Sequence, residues 1–170
     1  LFTANALLTV PASKSCLDAL EGSMRAAAEA ALKEEQLHWF DHPVPVGTPA
    51  GRNELVYGLG RLSEALRFEE SAGLKDPDRD IACVMSVSVT HRALRGVARA
   101  WLQSLLAGGE ETRGVNLHVI TEEDTVRLLD DVLIPAARRY AGRCDDTALR
   151  DVFGVDGEYG RHYNFLKAIA

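Results

Sequence analysis

The chain has 170 residues, 46% of them hydrophobic and 26% charged, with a formal net charge of −6 at pH 7. That length and composition suit one globular domain with a core of its own. The acidic balance argues against a duplex nucleic-acid binder, which needs a basic footprint, and no apolar run nears the roughly 20 residues that span a bilayer.

No charged segment followed by an apolar one marks a secretory signal. Cys16, Cys83 and Cys144 are odd in number and lack metal-type spacing, so they read as reduced thiols in a cytoplasmic protein. The sequence opens on Leu1 and reaches Ala170 inside an apolar helical pattern. The expectation is therefore part of a longer domain, or a chain that pairs with another copy.

In chain order, Ala6-Leu-Leu-Thr-Val10 is a short strand stopped by Pro11, which cannot donate to a ladder. Ser15 and Asp18 have capping-box-like spacing for a helix running to about Gln36, with Leu17, Leu20, Met24, Ala27 and Ala31 as its stripe. Residues 38–49 are irregular, because three prolines and a glycine in seven residues exclude a regular helix. His38 and His42 are four apart, as metal ligands on one helical face would be. Pro43 disfavours helical geometry at His42, so a loop packed by Trp39 and Phe40 is the better reading.

A helix resumes near Asn53 with Leu55, Leu59, Leu62 and Leu66 on one face, and Gly73 suits its C-terminal cap. Residues 75–80 are a solvated connection. Ile81–Val89 is uncharged and mostly β-branched or apolar, the pattern of a strand buried on both faces of a parallel sheet. Thr90 stands where it would N-cap the next helix. Leu94, Val97, Ala98, Trp101 and Leu105 give that helix one apolar face. Arg92, Arg95 and Arg99 lie opposite, either as a solvated face or with Arg92 reaching a phosphate at the helix start.

Val115–Ile120 is another strand, and Thr121 with Asp124 has N-cap and N3 spacing for a helix facing inward through Val126, Leu129, Leu133, Ala136 and Tyr140. Pro135 predicts a kink or early end there. Capping alone explains Glu122, Glu123 and Asp124; so would holding a base, a ribose or a divalent cation. A short helix near Thr147–Phe153 and a turn at Gly154–Gly160 precede a terminal helix from about Arg161. In that last stretch Arg161, His162, Tyr163 and Asn164 are more functional side chains than a structural turn requires.

This order predicts an α/β fold: a mostly parallel, Rossmann-like sheet with helices on both faces, in a helical half (1–80) and a β-α-β-α half (81–170). Phosphate loops, dinucleotide fingerprints, the nucleophile elbow and Cys-x-x-Cys pairs are all absent. In open α/β sheets ligands sit outside the carboxyl ends of the strands. Thr90, His91 and Arg92 border such a site.

The second half resembles GT-A-fold, nucleotide-sugar-dependent glycosyltransferases of the inverting kind. Ser86–Arg92 and the helix after it are similar to that family's first strand, turn and helix. Val115–Asp124 is similar to its second strand, and Asn164–Ala170 to the helix before its metal-binding Asp-x-Asp strand. Leu166 stands where the family has Gly, Thr-Glu-Glu-Asp replaces its paired aspartates, and no Asp-x-Asp follows the last helix. The resemblance implies transfer of a sugar from a nucleoside diphosphate to an acceptor hydroxyl, assisted by Mg²⁺ or Mn²⁺. It implies substrate contacts by Thr90, His91, Arg92, Glu123, Asp124, Arg161 and Asn164. The alternative is a non-catalytic α/β ligand-binding or oligomerisation module. A phosphate-ester enzyme clamping with Arg92 and Arg161 is a third.

Overall fold

The computed structural model describes residues 1–37, 42–76, 78–79, 81–107, 112–142, 144–154 and 166. Strand β1 (Phe2–Thr9) leads into two short helices, α1 (Lys14–Asp18) and α2 (Gly22–Ala31), then β2 (Val44–Pro45) and the long α3 (Glu54–Ser71). The second half holds β3 (Ile81–Val89), α4 (Ala98–Leu105), β4 (Val115–Thr121), α5 (Glu122–Leu128), α6 (Ile134–Ala141) and α7 (Asp146–Val152). The expected α/β architecture stands: four strands, all parallel, in the order β2-β1-β3-β4. Strands from both halves of the chain share this one sheet.

The register pairs Leu8 of β1 with Val89 of β3 and with Val44 of β2, and Val87 of β3 with Thr121 of β4. β3 thus lies between β1 and β4, and its residues 83–87 are all buried, as its uncharged sequence demands. Leu8, Met85, Val87 and Val89 meet Leu94, Ala98, Trp101 and Leu102 from the β3–β4 crossover and Ala28 and Ala31 of α2 in the main core. A second cluster joins Leu66 of α3 to Cys83 and Val115. A third, of Leu129, Ile134 and Phe153, holds the last helices together, with Leu166 against it.

Four local expectations need correction. The single helix from Ser15 to Gln36 is two helices. Ser13, not Ser15, caps the first, its hydroxyl accepting from the Cys16 N–H. Leu20 drops into the core between them, and Gly22 takes a left-handed φ of 53°. Residues 44–45, inside the proline-rich stretch, form an edge strand, where Pro45 costs no interior ladder bond.

Thr90 does not cap the helix that follows it. That segment opens as a 3-10 turn over Arg92–Val97, with His91 in the cap position and no side-chain cap bond. Its apolar face nevertheless keeps the expected residues, with Leu94, Ala98 and Trp101 buried.

The inward face after Leu129 slips by one residue. Leu129–Leu133 is a π turn, with Ile134 N–H bonding the carbonyl of Leu129. It widens the helix just ahead of Pro135, whose ring would clash with the carbonyl four residues back in a regular helix. Leu129 and Ile134 are therefore the buried pair, and Tyr140, 80% exposed, faces solvent. The capping box of Thr121 and Asp124 is formed as the spacing predicts, and Gly73 follows α3 in the left-handed conformation.

Candidate functional site

In a sheet of order 2-1-3-4 the chain leaves β1 toward one side, returns across it, and builds β3 on the other. The crevice outside the carboxyl ends of β1 and β3 is the switch point where such sheets bind ligands. The side chains placed there come from the ends of β1, β3 and β4.

Thr90 continues the ladder past the end of β3. Its N–H donates to Leu8 O at 2.9 Å, and its carbonyl accepts from the Leu37 N–H at 2.8 Å. Its hydroxyl, fully buried, lies 3.2 Å from Leu8 O, 2.8 Å from Thr9 Oγ1 and 2.7 Å from His91 Nδ1. With the hydroxyl proton given to β1, His91 Nδ1 is the donor toward Thr90. This inward bonding is why Thr90 is not a cap. His91 is itself buried, and burial lowers its pKa, partly opposed by the charge of Glu34. Glu34, at the end of α2, accepts from the Ala93 N–H at 3.0 Å and closes one side of the crevice.

The first turn of α5 meets the same edge. Glu122 Oε1 accepts from the Val89 N–H at 3.3 Å, tying the end of β3 to the start of α5. Glu122 Oε2 lies 2.6 Å from Arg95 Nε, an ion contact without hydrogen-bond alignment. Asp124 accepts from the Thr121 N–H and hydroxyl, both at 2.7 Å, and pairs with Arg99. Partial burial pushes the Asp124 carboxyl up. The two Thr121 bonds and the Arg99 guanidinium outweigh it and hold the group below the usual carboxylate range.

Of the residues expected to contact substrate, Thr90 and His91 end β3, and Glu123 and Asp124 begin α5 on the adjoining strand end. The structure brings these four to one edge. Glu123 and Arg92 are exposed there, whereas Thr90 and His91 are enclosed. Arg161 and Asn164 lie outside the described residues, as do His38 and Trp39. Arg95 and Arg99 each pair with a carboxylate of α5's first turn, Arg99 with its side chain still 41% exposed.

Among the described residues no three His, Cys, Asp or Glu side chains converge as metal ligands. Of the carboxylates at this edge, Asp124 and Glu122 are engaged by arginines and backbone, and Glu34 by the Ala93 N–H. The described residues therefore do not fit a divalent cation. The sequence has Asp-x-Asp spacings at Asp76–Asp78 and Asp78–Asp80; Asp76 and Asp78 precede β3, at the opposite, amino edge of the sheet, and Asp80 lies outside the described residues. There Asp76 Oδ1 accepts from the Asp78 N–H in a local turn.

Sequence reading missed a second feature of the carboxyl edge. Beyond the ends of β1 and β2 lies a cavity of about 520 Å³ lined by Ser13, Ser15, Cys16, Gly47, Thr48 and Arg52, among others. β2 is two residues long, too short to show in any periodicity, so nothing signalled that the two loops meet. They meet backbone to backbone: Gly47 has a φ of 78°, and a Cβ there would stand 2.1 Å from Cys16 O.

Compared with protein-family models, curated proteins and solved structures, the chain matches none of them.

Proposed function

We propose that the chain is the nucleotide-binding part of a glycosyltransferase that takes a nucleoside diphosphate sugar and passes the sugar to an acceptor hydroxyl. The observation that carries this reading is the carboxyl edge of an all-parallel 2-1-3-4 sheet, where groups from β1, β3 and β4 adjoin one crevice. On this reading Glu123, exposed in the first turn of α5, accepts from a ribose or base. Thr90 and His91 form the crevice floor, and Arg92 and Arg161 face phosphate oxygens. The resemblance supplies the chemistry, and on this reading no described residue is assigned as a metal ligand or as the base that deprotonates the acceptor. Three cysteines without a disulfide among them suit a cytoplasmic setting, and no described helix is long and apolar enough to cross a membrane.

A specific observation favours a second reading, a non-catalytic ligand-binding module: Glu122 and Asp124 are committed to Arg95, Arg99 and backbone groups. Calorimetric titration with uridine and guanosine diphosphate sugars, with Mn²⁺ present, decides between them. The transferase reading expects one of these donors to bind, and Arg161→Ala to weaken it by about 1.5–3 kcal/mol, the range for a charged hydrogen bond. No binding of any nucleoside diphosphate would leave the module reading in its place.

A further inference from the structure

We propose that the cavity over the carboxyl ends of β1 and β2 binds a phosphate ester, its phosphate clamped by Arg52. The inference does not rest on the transferase reading, and the cavity is distinct from the crevice at the end of β3.

The wall chemistry is one-sided. Ser13, Ser15, Cys16, Thr48 and Arg52 supply hydroxyl, thiol and guanidinium groups, and among the described residues no carboxylate lines this cavity. In a chain of net charge −6 that is notable. Arg25, Arg61, Arg95, Arg99, Arg138 and Arg150 each face an acid; Arg52 is one of several described arginines with no ion pair, and the one of them that lines this cavity. A planar guanidinium with all its N–H groups available is suited to a two-point grip on a phosphate.

The hydroxyls complete the cradle. Ser13 Oγ, which caps α1 and donates to Cys16 Sγ at 3.3 Å, lies 2.8 Å from Ser15 Oγ, so Ser15 is the hydroxyl left to turn toward a ligand. Thr48 spends its proton on Pro45 O at 2.7 Å, which fixes the turn carrying Arg52 rather than the ligand. The backbone approach of Gly47 to Cys16 sets the two walls at a fixed separation, so little ordering remains to be done on binding.

A second cavity, of about 420 Å³, adjoins it across the shared wall residues Ala19, Gly47, Thr48 and Pro49. Leu20, Met24, Trp101 and Leu105 make that cavity mainly apolar, and Glu21 puts a carboxylate at it. An anion-accepting cavity beside an apolar one with one acid fits an ester whose organic body carries a hydroxyl or amino donor.

Calorimetric titration of the whole chain at low ionic strength, with inorganic phosphate and then with uridine 5′-diphosphate, tests this. Both should saturate, the diphosphate about tenfold or more tighter because it also fills the second cavity. Arg52→Gln should weaken both by roughly tenfold or more, and Arg52→Lys should recover part of the loss. The Arg52→Gln variant should melt with the parent, since Arg52 makes no ion pair whose loss would matter. Equal affinity for the two ligands would overturn the ester assignment. Absence of saturation, or parent-like phosphate binding by Arg52→Gln, would overturn the site. Loss of phosphate binding in Arg92→Gln instead would move the anion to the end of β3. Phosphate binding that depends on Arg52, with no sugar nucleotide binding, would sink the transferase reading and leave this one standing.

Discussion

Thr90 shows how much a single side chain decides at the sheet edge. Its hydroxyl faces Leu8 O, Thr9 and His91, and its backbone joins β1 to the segment after α2. Thr90→Val keeps the shape and removes the hydroxyl, leaving His91 Nδ1 and the Thr9 hydroxyl without that partner. The expected cost is about 1–3 kcal/mol, read as a shift in the urea midpoint. A midpoint equal to the parent's would mean the hydroxyl network contributes nothing net. Residue identity alone could flag Thr90 as a group at a strand end, and it did. It could not say which way the hydroxyl points, because capping and cross-strand bonding ask for the same residue type and differ only in which neighbour is closer. Asp124 is the contrary case: the capping box is local, spanning three residues, and was legible from spacing.

At the level of elements, legibility followed the same division between local and distant causes. β3, β4 and α3 announce themselves by composition and period. β2 does not, because two residues carry no period. The π turn is likewise hidden, since a one-residue slip in helical phase comes from fitting Pro135 rather than from any apolar pattern. The α4 face survived even though its first turns are 3-10, because burial of Leu94, Ala98 and Trp101 constrains the direction of the face more than the pitch. Trp101 is 5% exposed and lies in the main core with Leu102 and the β3 side chains. Trp101→Ala should therefore cost about 3–5 kcal/mol by calorimetric or denaturant unfolding. A variant melting within a degree or two of the parent would show that the helix face is not anchored there.

For the whole molecule, two groups at the carboxyl edge with shifted pKa values, the buried His91 and the partly buried Asp124, contribute to the response to acid. His91 has its pKa lowered, so the folded chain binds fewer protons there than the unfolded one. The stability this confers is complete above the ordinary histidine value of about 6.5 and declines as pH falls below it. Asp124 is also lowered, so its contribution is present above the ordinary carboxylate value of about 3.9 and is lost as pH falls below that. Acid unfolding should thus weaken the chain in two stages. His91→Gln should abolish the first, leaving the urea midpoint nearly constant from pH 7.5 to 5.5 while the parent's falls. Equal slopes for parent and variant would show that His91 does not sense this range.

The three cysteines occupy three separate parts of this architecture, and together they make a set of built-in chemical reporters. Cys83 is buried under the sheet, where burial pushes its thiol pKa up, so an alkylating reagent reaches it only when the sheet itself opens. Cys144 sits against the cluster that joins α6 and α7. Residual burial and the Asp146 carboxylate raise its pKa, and the thiol is partly exposed, so its modification reports on that corner in the folded chain. Cys16 lines the cavity between the loops after β1 and β2. A ligand seated there shields one thiol and leaves the other two as internal standards, so occupancy, the reactivity of a partly exposed native thiol and opening of the sheet become three separable rates in one labelling experiment.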